Sequence, residues 1–192
     1  MVRKLFLTLA LAAGLAACNG ERPPPGPEGP RANIAPDVTV ELPVLPGYPE
    51  TRTYSQVLRA RYGWRSATLE TVLSLAPEAV EAVLTVPGGP RVATVRWNGE
   101  GVSVDRTVFT PPDLAPENMM ADLFIAYWPV EMVRDALPRG VTLDVAETGA
   151  RTVRRGDEVI LTIAPDAEAP NRLAISNALL NYELTIDSQA LE

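Results

Sequence analysis

The stretch Met119-Met120-Ala121-Asp122-Leu123-Phe124-Ile125-Ala126-Tyr127-Trp128 decides the fold. It is nearly all apolar, and it interrupts a chain whose other apolar residues mostly alternate. Met120, Leu123, Phe124 and Tyr127 recur at helical spacing. Pro116 suits a helix start, and Pro129 limits continuation past Trp128. Pro129 in turn suits the start of a second helix over Val130 to Leu137, which Pro138 and Gly140 stop.

Outward from this helical pair the period is two. On the N-terminal side Val80, Ala82, Leu84 and Val86 alternate, then Val92 and Thr94, then Val102 and Val104. On the C-terminal side come Val141-Leu143-Val145, Val159-Leu161-Ile163 and Tyr182-Leu184-Ile186. Such alternation marks antiparallel strands with one wet and one apolar face. Tyr62-Gly63-Trp64 separates two further strands, Tyr54 to Tyr62 and Trp64 to Leu75. Asn98-Gly99 reads as a tight hairpin, and Pro87-Gly88-Gly89-Pro90, Thr148-Gly149 and Gly156-Asp157 are breaks. The order is five or six strands, two helices, then five shorter strands. The expected fold class is α+β: a curved antiparallel sheet, an incomplete barrel of about nine to eleven strands, with helices against one face.

The N-terminus carries an address. Arg3 and Lys4 form a positive region, Leu5 to Ala13 an apolar run, and small residues lead to Leu15-Ala16-Ala17-Cys18. The run is shorter than the about 20 residues that cross a bilayer. The ending resembles the lipobox of bacterial prolipoproteins. That resemblance implies a signal peptide over residues 1–17 and a lipid anchor on Cys18, held to the membrane by more than one acyl chain. Asn19 in place of Asp resembles the pattern that sorts lipoproteins to the outer membrane, facing the periplasm. Residues 18–46, with Pro23-Pro24-Pro25-Gly26-Pro27, read as a Pro-rich tether lacking the apolar content of a core. Within it, Val38 to Leu45 offers a short added strand. Residues 47–192 have the length of one domain.

Composition narrows the chemistry. The net charge is −7 and histidine is absent. No basic stripe serves nucleic acid, so no nucleic-acid partner is expected. Without histidine there is no Ser-His or Cys-His dyad and no His-ligated zinc. Cys18 is the only cysteine, and the lipid claims it. The expectation is a monomeric, non-catalytic protein with no cofactor and no metal. A glycan hydrolase built on two carboxylates stays chemically possible.

The segment Ala121 to Pro138, together with Asn177-Ala178-Leu179-Leu180-Asn181-Tyr182-Glu183-Leu184 and the lipobox, resembles a family of uncharacterised bacterial lipoproteins, a domain of unknown function. Its members often occur beside aryl polyene biosynthesis genes. The strand–helix–strand order also resembles LolA and LolB, the periplasmic carrier and outer-membrane receptor of lipoproteins, whose incomplete barrels hold acyl chains. This resemblance implies binding of a lipid, lipidated or polyene cargo in an apolar groove and its transfer to the outer membrane. The loop that aligns with LolB's protruding leucine-bearing hairpin, Val86 to Pro90, has no leucine. The alternative is a scaffolding lipoprotein that docks on a protein partner.

Met119, Met120, Phe124, Tyr127 and Trp128 are the candidate cavity-lining residues, because Met and aromatic side chains adapt to a flexible apolar ligand. The competing reading is core packing. Asp122, the only charge in that run, is expected in the first helical turn, stabilised by free N–H groups. Glu131 and Asp135 lie four apart and read as a solvated face. Trp64, Trp97 and Tyr182 are candidates for stacking on a ligand, with cross-strand packing as the other reading of Trp97. Arg151, Arg154 and Arg155 offer an anion site or a solvated turn.

Overall fold

Alternation along the chain becomes strand pairing in the computed structural model, which describes residues 28–107 and 115–191. β1 (Arg31–Ala35) and β2 (Val38–Glu41) form a separate hairpin. β3 (Arg52–Tyr62), β4 (Arg65–Leu75), β5 (Val80–Thr85), β6 (Arg91–Asn98) and β7 (Gly101–Arg106) precede α1 (Pro116–Tyr127) and α2 (Val130–Ala136). β8 (Val141–Val145), β9 (Arg151–Arg155), β10 (Glu158–Pro165), β11 (Arg172–Asn177) and β12 (Tyr182–Leu191) follow.

The main sheet is antiparallel, in the order β7-β6-β5-β4-β3-β12-β11-β10-β9-β8. It is an open sheet with β7 and β8 at its edges, and its ten strands lie within the range read from the sequence. The two halves of the chain meet where β12 pairs with β3, from Tyr182 opposite Tyr62 to Leu191 opposite Thr53. Directly opposed residues share a face. Leu58 faces Leu69 and Ile186, and Gln56 faces Thr71 and Ser188. The opposite face carries exposed ion pairs, among them Arg61–Glu183 at 2.6 Å and Arg91–Asp105 at 2.7 Å. Exposed pairs are screened by water and contribute little. Burial of the alternating apolar residues therefore fixes which face turns inward.

The prolines place the helices as expected. Pro116 opens α1 with Glu117 in its first turn, and Pro129 caps α2. At the far end of α1, the Arg151 guanidinium donates to the carbonyls of Ile125 at 2.7 Å and Trp128 at 2.8 Å. These are carbonyls that a helix end leaves without intrahelical partners, and a cation there also suits the helix dipole. Among the described residues no helix is long and apolar enough to cross a membrane.

α1 contacts the sheet and, separately, strand β1. This explains why MMADLFIAYW is apolar nearly all round: a helix covered on more than one side has little exposed stripe to keep polar. The assignment of residues 18–46 to a tether is corrected here for residues 31–42. Ala32, Ile34, Val38, Val40 and Leu42 are buried in the core. Asn177 Nδ2 donates to the Ile34 carbonyl at 2.7 Å, and Leu42 N–H donates to the Pro30 carbonyl at 2.8 Å. Trp97 Nε1 donates to the Pro43 carbonyl and Trp128 Nε1 to the Pro46 carbonyl. The strand within Val38 to Leu45 exists, but it pairs with β1 and not with the main sheet. The signal peptide and Cys18 lie outside the described residues.

Candidate functional site

The inward face is filled unevenly. At one end Trp97 on β6 and Phe124 and Trp128 at the end of α1 are fully buried. Trp97 and Trp128 stack with centroids 5.6 Å apart, and Phe124 lies 5.5 Å from Trp128. Each ring buries a large apolar area and each indole N–H has a carbonyl partner, so this end is closed core.

Beneath α1, toward its N-terminal half, the packing leaves a cavity of about 40 Å³. Strands β3, β4, β5, β11 and β12 supply the floor and walls, and α1 supplies the roof through Met119, Asp122 and Leu123. Leu73, Ala82, Ile175 and Ile186 are buried, whereas Leu58, Met119 and Leu184 are half-buried. The mouth therefore lies at Leu58, Met119 and Leu184. Beyond it the same sheet face continues through Ala60 and Leu69 to Tyr62. At the β3–β4 hairpin Trp64 is 89% exposed, with the Arg65 guanidinium 5.2 Å from its ring centroid. Gly63 holds this turn at φ +57°, a conformation glycine adopts without a Cβ penalty.

A polar cluster sits within this apolar setting. Asp122 is 8% exposed. Tyr182 donates its hydroxyl hydrogen to Asp122, whose two carboxyl oxygens both lie 2.7 Å from Tyr182 Oη. Burial pushes the Asp122 carboxyl up to about 7, against the lowering effect of the Tyr182 hydrogen bond. Burial, then the neighbouring Asp122 charge, pushes the Tyr182 phenol up as well. Gln56 Nε2 donates to Ser188 Oγ at 2.9 Å and to Tyr127 Oη at 3.2 Å. Thr71 is 4% exposed, and its Oγ1 has no hydrogen-bond partner.

The candidate residues separate in this setting. Met119 lines the cavity. Met120 and Phe124 are fully buried core residues that line none of the described cavities, so their assignment as cavity lining is corrected. Their i,i+4 spacing puts both on one face of α1, where Phe124 packs against Trp97 and Trp128. Tyr127 and Trp128 border a different, open groove of about 290 Å³, with Tyr48, Arg52 and Arg151. Asp122 lies well past the first turn of α1, and its partner is Tyr182 in place of the helix N-terminus. Trp97 packs across the core, and Tyr182 hydrogen-bonds Asp122. Glu131 and Asp135 are exposed, and Glu131 pairs with Arg134. Arg151 is engaged at the end of α1, while Arg154 and Arg155 pair with Asp144 and Glu158.

Sequence reasoning missed Gln56, Thr71 and Ser188. All three are polar residues at inward-facing positions of period-two strands, which is the only signal they carry. Asp122 is the only acid lining the cavity, so the paired carboxylates of glycoside cleavage are not assembled there. A half-open apolar cavity with a buried acid and an unpartnered hydroxyl in its lining is suited to holding a ligand in one orientation.

A family model described as Protein of unknown function (DUF3261) matches residues 53–190, from the second residue of β3 to the penultimate residue of β12. No curated protein matches the chain.

Proposed function

The chain belongs to the family of proteins of unknown function DUF3261, and from that premise we propose that it is a non-catalytic, lipid-anchored envelope protein. In this reading Cys18 carries the anchor, the domain faces the periplasm from the outer membrane, and the inward sheet face binds an acyl chain or a lipidated or polyene cargo for delivery to that membrane. The observation that carries the reading is the half-open apolar cavity under α1 with its mouth at Leu58, Met119 and Leu184.

The open antiparallel sheet with helices on one face is the architecture a LolA/LolB-like carrier requires. The dimensions differ from those of a deep carrier pocket. A cavity of about 40 Å³ is far below the roughly 300 Å³ at which drug-sized pockets begin. The site therefore takes the end of a chain, and the remainder lies along Leu58, Leu69, Ala60 and Leu184. Native mass spectrometry of the full chain purified from bacterial envelopes tests this. A co-purifying lipid or polyene supports it; bare protein that also takes up no added fatty alcohol or acylated peptide contradicts it.

The closed stack of Trp97, Phe124 and Trp128 favours a second reading, in which the domain scaffolds an envelope assembly and docks on a protein partner. Crosslinking in cells separates the two, because a stoichiometric protein adduct with no bound lipid belongs to the scaffold.

A further inference from the structure

Thr71 Oγ1 is the one buried side-chain polar atom among the described residues with no hydrogen-bond partner. It lines the same cavity as Asp122. A buried hydroxyl without a partner is destabilising, and native proteins rarely keep one without a role. Asp122 has also not exhausted its capacity. A carboxylate offers about four acceptor sites, and Tyr182 has a single hydroxyl hydrogen to give. Apart from Gln56, the other lining residues are apolar.

We infer that this cavity binds the hydroxyl-bearing end of an apolar chain, with Asp122 accepting the ligand's hydroxyl hydrogen and Thr71 Oγ1 donating to the ligand oxygen. This rests on the reading of the inward face as a chain-binding surface, and it adds the chemical class of the ligand. A hydroxyl is one donor and an acceptor, which matches the unused capacity of the two groups. A terminal carboxylate is costly to desolvate in this apolar site, and above pH about 7, where Asp122 is ionised, it also meets a like charge. A terminal ammonium is donor-only and offers no acceptor to the Thr71 hydroxyl hydrogen, which would stay without a partner. A cavity of about 40 Å³ admits a hydroxyl and little beyond the carbon that bears it. The half-buried Leu58 and Leu184 then receive the next carbons.

Calorimetric titration of the full chain with 1-octanol, 1-chlorooctane and octanoate tests this, in the parent, Thr71→Val and Thr71→Ser. Thr71→Val keeps the shape and removes only the hydroxyl, and thermal melting confirms that each variant is folded. The expected result is a ratio of octanol to chlorooctane affinity that falls about three- to tenfold in Thr71→Val, the worth of one buried hydrogen bond. Thr71→Ser restores the ratio, and octanoate binds more weakly than octanol. An unchanged ratio in Thr71→Val overturns the inference while leaving chain binding intact, and means that the polar cluster holds only water. Failure of all three compounds to bind overturns the chain-binding reading and this inference with it.

Discussion

Tyr182 on β12 and Asp122 in the middle of α1 are joined by a hydrogen bond across 60 residues of sequence, with both carboxyl oxygens 2.7 Å from the phenol oxygen. The bond ties the helix to the central seam of the sheet. Burial at this joint, against the lowering effect of the bond, also couples the Asp122 proton to stability. Burial raises its carboxyl from 3.8 to about 7, so between those values the folded chain holds a proton that the unfolded chain has released. Stability therefore falls as pH rises from about 4 to 7, by a few kcal/mol at most. Tyr182 is the only other titratable side chain hydrogen-bonded to Asp122 among the described residues, and it stays neutral throughout this range. Urea unfolding across that range checks the sign. Asp122→Asn, which cannot ionise, is expected to lack this decline.

Arg151 gives a second test. Its guanidinium donates to two carbonyls at the end of α1. Arg151→Met keeps much of the stem packing and removes both donors. The expected loss is about 1–3 kcal/mol, because it leaves partly buried carbonyls without partners. Equilibrium unfolding measures it. A phosphate-binding role for Arg151 predicts phosphate-dependent stability in the parent, which this geometry does not.

The β1–β2 hairpin fixes where the domain begins. A chain starting at residue 28 is expected to unfold in one cooperative transition. A chain starting at residue 47 loses Ala32, Ile34, Val38, Val40 and Leu42 from the core, along with the carbonyls of Pro43 and Pro46 that hold both buried indoles. Deleting that much buried aliphatic surface removes roughly 1.5–3 kcal/mol per large side chain, comparable in sum to the whole stability of a domain. Circular dichroism melts of the two chains decide the point.

Membrane attachment is predicted from the Leu15-Ala16-Ala17-Cys18 stretch. Metabolic labelling with palmitate is expected to mark the parent chain and not Cys18→Ser. A variant that still takes up the label contradicts attachment through Cys18.

Much of this fold is legible in the sequence, for identifiable reasons. Period-two alternation gives the main strands, and Pro116, Pro129 and Pro138 bracket the two helices. The hairpin at residues 31–42 is less visible, because the alternation of Ala32 with Ile34 and of Val38 with Val40 is brief and flanked by proline. The site is the least legible part. Asp122 is conspicuous as the only charge in an apolar run, but its partner lies 60 residues away and only the β3–β12 pairing brings them together. Thr71 looks like any strand threonine until the register places it opposite Gln56, under the helix. Met120, Phe124 and Trp128 share the composition of a ligand pocket and the packing of a core, and only three-dimensional contact distinguishes the two.

Photolabelling tests the chain-binding claim most directly. The full chain is irradiated with a diazirine-bearing long-chain fatty alcohol, and the adducts are mapped by peptide mass spectrometry. Chain binding at the inward face predicts labels concentrated on Leu58, Leu69, Met119 and Leu184, and competed by unlabelled alcohol. Labels spread over the outer sheet face, or none that the competitor removes, contradict it.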